Sequence, residues 1–142
     1  MKKLYQQQTN HQINKIIYRL ENLYPKKIDL TLERTLNLCK KVGSPHLKLP
    51  PTIHISGTNG KGSVSAFLRS IAEEAGLNVH VYTSPHLCKF NERIRICGQL
   101  ISQKILSKIL LEVEEINSNN PITFFEITTV AAFLAFSRYN SD

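Results

Sequence analysis

Residues 57–63, Gly57-Thr58-Asn59-Gly60-Lys61-Gly62-Ser63, hold three glycines and a lysine in seven positions. Glycine at that density weakens a helix or strand unless the backbone must bend sharply or admit a close neighbour. The stretch before it, Thr52 to Ser56, alternates as a strand does. After it, Val64, Phe67, Leu68, Ile71, Ala72 and Ala75 recur at helical spacing, and Gly76 stands where a helix C-terminal cap belongs. A strand, a glycine loop and a helix in that order aim several backbone N–H groups at one point, and the helix dipole adds positive potential there. The feature therefore predicts an α/β chain with an anion-binding loop.

The flanking sequence extends this reading. Ile13, Ile16, Ile17 and Leu20 predict a first amphipathic helix ending near Tyr24-Pro25, and residues 26–31 form a short polar link. Leu32, Leu36 and Cys39 mark a second helix closed by Gly43, followed by a stiff, irregular lead-in at 46–51. Residues 78–84 alternate as a second strand, so strand, helix and strand predict a parallel βαβ unit with a right-handed crossover. "ERIRICGQLIS" reads as a hairpin around Gly98. Ser102 caps a helix with Ile105, Leu106, Ile109, Val113 and Ile116 inward, and Ile127 to Tyr139 predict a mostly apolar helix on the sheet. The fold class expected is a P-loop-type parallel sheet flanked by helices.

With 142 residues the chain suffices for one domain with a real core. The net charge of +7 favours anionic partners. The basic residues are scattered and barely interleave with aromatics, which argues against nucleic acid. Three cysteines without a close pairing motif read as reduced thiols. Neither a secretory signal nor a bilayer-length apolar run occurs, so a cytoplasmic protein with no membrane partner is expected. His54, His80 and His86 lack metal-ligand spacing and receive no catalytic role.

The glycine loop departs from the usual P-loop. That motif has four residues between its first glycine and the Gly-Lys pair, with Ser or Thr right after the lysine. Here two residues intervene, and Gly62 separates Lys61 from Ser63. Ser63 is thus displaced from the place where that hydroxyl normally meets magnesium. A ligand-free glycine turn is the plainer alternative, but strand, loop and helix all stand where phosphate binding needs them.

"HISGTNGKGS", together with "VYTSPHL", "NERIRI" and "TFFE", resembles the folylpolyglutamate synthase and dihydrofolate synthase family of the Mur ligase superfamily. The similarity runs from "LENLYPKKIDLTLERT" to the final helix, and this family's own loop reads Gly-Thr-Asn-Gly-Lys-Gly followed by Ser or Thr. The resemblance implies an ATP-dependent ligase that phosphorylates a pteroate or folate carboxylate, whose acyl phosphate is then attacked by the amino group of L-glutamate. It implies ATP and Mg²⁺ as cofactors and dihydropteroate or folate as substrate. By the same resemblance Gly57, Thr58, Asn59, Gly60, Lys61, Gly62 and Ser63 wrap the phosphates, with Lys61 stabilising charge during transfer. Ser84 matches a magnesium ligand, although without that match a serine before Pro85 reads more readily as an ordinary turn serine.

Ile28, Asp29, Leu30 and Thr31 match one segment of the family's pterin pocket, and Thr123, Phe124, Phe125 and Glu126 match another. An aromatic ring stacks on a flat pterin while polar groups bond its edge; since adjacent side chains diverge, one of the two phenylalanines belongs to the core. Arg93 meets a substrate carboxylate or pairs with Glu92 as a solvated ion pair. The family's full enzymes are much longer, and their remaining Mg²⁺ ligands and glutamate-binding C-terminal domain have no counterpart in the 142 residues. The expectation is therefore that 1–142 is the N-terminal part of the ATP-binding domain, inactive alone, with a separately encoded C-terminal half as the partner that a split gene would supply. Two alternatives are a nucleotide-binding remnant and an interaction module, both without ligase activity.

Overall fold

The computed structural model describes residues 2–24 and 31–142, with side chains from Gln12 onward. Its elements are α1 (Lys2–Glu21), α2 (Glu33–Lys41), α3 (Lys61–Glu74), β1 (Val81–Tyr82), β2 (Ile94–Ile96), β3 (Gln99–Leu100), α4 (Gln103–Asn117) and α5 (Phe124–Phe136). Short 3₁₀ turns occupy Pro45–Lys48 and Phe90–Arg93.

Helix α5 is apolar around its whole circumference, and such a helix is stable only when surrounded. Ile127, Val130, Ala131, Ala132 and Ala135 are fully enclosed, with α4, α2, α1 and the first 3₁₀ turn packed about them. The Ser102 hydroxyl caps α4 by accepting the Ile105 N–H at 3.3 Å, as its sequence predicts. Leu106, Ile109, Leu110 and Val113 then face α5 and α1, with Ile105 and Ile116 half-buried at the edges. Ile13, Ile16 and Leu20 bring α1 onto the same core.

Helix α2 faces inward differently from the expectation. Leu38 and Cys39 are buried, whereas Leu32 and Leu36 are 70% and 46% exposed. Periodicity alone allows either stripe. The choice falls to the one carrying Arg34 and Thr35, whose side chains bond Glu126 at the start of α5 and turn the helix. Burial also raises the Cys39 thiol above its ordinary pKa, so it stays a protonated, apolar core group.

The expected parallel sheet is not what forms. The strands make a three-stranded sheet in the order β1-β2-β3, antiparallel throughout, with Val81 opposite Arg95 and Arg95 opposite Leu100. The β2–β3 hairpin at Gly98 is as predicted, while the strand expected over 78–84 shortens to β1. Residues 52–56 carry no strand and form no ladder with the described strands. A parallel pair needs its crossover helix lying on the sheet. Helix α3 buries none of its residues, so nothing clamps 52–56 beside β1. The predicted stripe is present on α3 but open: Phe67 is 69% exposed, Ile71 66% and Val64 46%, with Ile53 nearby in sequence at 73%.

This contrast yields an expected result in chemical denaturation. Ile127→Val, at a fully enclosed site in α5, should lower stability by about 0.5–1.5 kcal/mol. Phe67→Ser removes more apolar area from the chain, yet should cost under about 0.5 kcal/mol because that ring covers nothing. An equal loss for both would mean that α3 is packed in solution.

Candidate nucleotide and substrate site

The glycine loop delivers the backbone geometry that its composition predicts. Gly57 has φ +150° and Gly60, the residue before α3, has φ +76°, conformations that side-chain-bearing residues rarely adopt. The first intrahelical bond runs from the Val64 N–H to the Gly60 carbonyl at 2.9 Å. The N–H groups of Lys61, Gly62 and Ser63 precede it and point out of the helix end. A Cβ built on Gly62 would meet nothing within 4 Å, so protein packing does not require glycine there. The space is open to a ligand. The Lys61 ammonium folds back on the loop, donating to the Gly57 carbonyl at 2.5 Å and the Thr58 carbonyl at 3.2 Å.

A second group of predicted residues gathers around Arg93. Its side chain is buried, with its Nε donating to His86 Nδ1 at 2.9 Å and an Nη to the Ser84 hydroxyl at 3.4 Å. The guanidinium lies over two rings, 5.3 Å from the Phe90 centroid and 5.7 Å from that of Phe124. The alternative pairing with Glu92 is overturned. The Glu92 carboxylate turns back and accepts the N–H groups of Leu87 at 2.8 Å, Cys88 at 3.2 Å and Lys89 at 2.8 Å, which hold its pKa below the ordinary carboxylate range. Arg93 is thus a buried cation that no carboxylate among the described residues pairs, an arrangement suited to an incoming anion.

The same arrangement speaks against a metal at Ser84. A divalent hard cation wants carboxylate oxygens. Here the Ser84 hydroxyl faces a guanidinium, and the Glu92 carboxylate on the adjoining loop is engaged by amides. Among the described residues no three His, Cys, Asp or Glu side chains converge as a metal site. The residues present do not by themselves fit Mg²⁺.

The "TFFE" segment has a structural role that its spacing could have shown. It is a capping box: Thr123 Oγ1 accepts the Glu126 N–H at 3.3 Å, and Glu126 returns its carboxylate to the Thr123 N–H at 2.8 Å. The helix consequently starts at Phe124, earlier than the Ile127 predicted. The two phenylalanines diverge as expected. Phe124 is half-buried against Arg93 and Phe90, while Phe125 is 52% exposed with its ring 6.3 Å from that of Tyr82. Glu126 also receives Arg34 in a two-point pair at 3.2 and 3.1 Å, and the Thr35 hydroxyl at 3.4 Å. Its carboxylate is therefore engaged within the protein rather than held out toward a ligand. Thr31 lies just before α2; Ile28, Asp29 and Leu30 lie outside the described residues.

The structure thus brings Ser84, Arg93 and Phe124 together, with Thr123 and Glu126 on the same helix start, while the contacts of Lys61 stay within its own loop. Sequence reasoning missed Arg34, His86 and Phe90, which hold these groups. For Arg34 a signal existed, since it lies three residues beyond the 28–31 tag.

No family model matches the chain. The dihydrofolate synthase/folylpolyglutamate synthase of Escherichia coli K12 is 38% identical over 124 residues, 87% of this chain and 29% of that protein. The solved structure of E. coli FolC in complex with DHPP and ADP superposes with a TM-score of 0.84 at 35% identity, covering 91% of this chain and 31% of that one. Nearly the whole chain is thus homologous to part of the dihydrofolate synthase/folylpolyglutamate synthases. A family member from Yersinia pestis, solved with AMPPNP and Mn ion, agrees at a TM-score of 0.82 and 34% identity, covering 92% of this chain and 32% of that one. The chain thus spans about 30% of the length of the family members it matches. No helix among the described residues is long and apolar enough to cross a membrane.

Proposed function

We propose that the chain is the nucleotide- and pterin-binding portion of an ATP-dependent amide ligase joining L-glutamate to dihydropteroate or a folate. The observation that carries this reading is the glycine loop: orphan amides at the mouth of α3, an ammonium beside them, and open space over Gly62. In the reaction a carboxylate oxygen of the pteroate attacks the terminal phosphorus of ATP and ADP leaves. The glutamate amine then attacks the acyl carbon, phosphate departs with its bonding pair, and the amine loses a proton. Such transfer depends on aligning anions and neutralising their charge.

Each cluster then has a task. Lys61 leaves its loop carbonyls and meets the outer phosphates, with the amides of 61–63 around them. Arg93, buried between Phe90 and Phe124, holds the substrate carboxylate. Phe124 and Thr123 border the pterin, and the family resemblance assigns 28–31 to the same pocket. Ser84 orients Arg93, and no step is assigned to a metal at that hydroxyl. The 142 residues bind these ligands without completing turnover, because they span so small a share of the family's length.

A second reading, an interaction module, draws on the exposed stripe of α3, which fits the covering surface of another polypeptide such as a separately encoded C-terminal half. Calorimetry of the purified chain with AMPPNP and with dihydropteroate, beside an assay for glutamate incorporation, separates the readings. Binding of both ligands with no amide product supports the first. Product formation overturns the claim of incompleteness, and silence toward both ligands leaves the interaction module.

A further inference from the structure

We propose that His86 is a positioning residue for the anion site at Arg93. It occupies one edge of the guanidinium and leaves the end-on edge, with the Ser84 hydroxyl beside it, to hold a ligand carboxylate. The proposal rests on the reading above in which Arg93 holds the substrate carboxylate, and deepens it by naming what sets the direction of that hold.

The three groups meet for a local reason. The β1–β2 pairing continues past β1, with the Thr83 N–H donating to the Arg93 carbonyl at 2.9 Å, so the loop 84–92 leaves and returns beside Arg93. Within that loop the His86 ring meets the buried Phe90 ring edge to face, centroids 5.8 Å apart, a contact that steadies the imidazole. Its Nδ1 lone pair accepts the Arg93 Nε–H at 2.9 Å. A guanidinium offers a carboxylate two forks, one side-on from Nε and Nη2 and one end-on from Nη1 and Nη2. His86 holds Nε and so closes the side-on fork. Nη1 spends one hydrogen on Ser84 Oγ at 3.4 Å, and Nη2 has no hydrogen-bond partner among the described residues. The end-on fork therefore remains, and it stands beside the exposed Ser84. That hydroxyl accepts from Arg93 and keeps its own hydrogen to donate. A carboxylate seated there meets three donors, Nη1, Nη2 and Ser84 Oγ, two of them charged.

The test uses the 142-residue chain and its His86→Phe, His86→Asn and Arg93→Met variants, titrated with dihydropteroate and separately with its carboxamide. His86→Phe keeps a ring against Phe90 but offers no lone pair. It should raise the dihydropteroate Kd about tenfold and leave the carboxamide Kd within about twofold. His86→Asn places an acceptor oxygen where Nδ1 stands and should recover most of that loss. Arg93→Met should abolish the preference for carboxylate over carboxamide, and adding His86→Phe to it should cost nothing further, since both act on one group. In NMR spectra the Arg93 Nε–H should exchange slowly with water in the unaltered chain and in His86→Asn, and rapidly in His86→Phe.

Three results would overturn the proposal while leaving the carboxylate reading of Arg93 in place. Dihydropteroate binding could be unaltered in His86→Phe, carboxylate and carboxamide could weaken in parallel as a merely structural role predicts, or His86→Asn could fare no better than His86→Phe. If the unaltered chain binds carboxylate and carboxamide alike, or neither, the reading of Arg93 itself falls and this proposal with it.

Discussion

Lys61→Ala should weaken AMPPNP binding about tenfold to a hundredfold, the range expected when a charged hydrogen-bonding partner of a phosphate is removed. The fold should be untouched, because the Lys61 ammonium bonds only carbonyls of its own exposed loop, Gly57 and Thr58. Those contacts show where the charge is stored. Two carbonyl oxygens hold the ammonium at the helix mouth, and a triphosphate offers it a fully charged acceptor instead. Raising ionic strength should shrink the difference between the two proteins, since the site is open to screening ions.

Gly62→Ala is the companion measurement. Nothing within 4 Å opposes a Cβ there, and alanine favours helix, so stability should hold steady or rise by up to about 1 kcal/mol. Nucleotide affinity should nevertheless fall, because the methyl group enters the space above the amides. A substitution that leaves the protein sound and harms the ligand is what a binding loop predicts and a bare turn does not. Calorimetry and thermal unfolding on the same samples read both quantities.

How far such features could be read from the sequence depended on how local their causes are. The Ser102 cap, the Gly98 turn and the loop at 57–60 depend on residues within four positions of one another, and each formed as its residues predict. The stripe on α3 was equally legible, but what covers it is not a local property, and the described residues leave it open. The parallel pairing failed for the same reason, since a crossover is held by the burial of its helix. Helix α2 shows the limit within a single element: Leu36 and Leu38 are both apolar, and Glu126, ninety residues away, decides which of them turns inward.

The chemistry-bearing residues divide along the same line. Arg93 was legible as a candidate, yet its choice between Glu92 and a ligand turned on the backbone amides of 87–89 capturing Glu92 first. Its burial needed Phe124 from a distant helix. "TFFE" carries two meanings that coexist, since the capping box that starts α5 also sets Phe124 beside Arg93. A tag assigned to ligand contact can therefore owe its residues to helix initiation, and only the hydrogen bonds tell the two apart.

Glu126→Ala should be the most destabilising of the single changes considered, by about 2–4 kcal/mol in denaturant unfolding. Three losses combine there: the two-point pair with Arg34, the reciprocal cap on Thr123, and the acceptor for Thr35. Arg34 retains some access to water, which keeps the loss below that of a fully buried pair. Acid titration identifies the charge as the source. Burial pushes the Glu126 pKa up, but hydrogen bonds from Thr123 and the Arg34 charge prevail, and the net direction is downward from the ordinary 4.5. A carboxylate with a depressed folded pKa contributes stability that is present above its unfolded value and lost as pH falls through the folded one. The stability difference between the unaltered chain and Glu126→Gln should therefore be constant from pH 7 down to about 4.5, then shrink as acid protonates Glu126. Glu92 and Glu112 are also depressed, but they titrate in both proteins and cancel in the difference. If the difference survives unchanged at pH 3, its origin is packing around the side chain, and the ionic clasp between α2 and α5 is not what holds them.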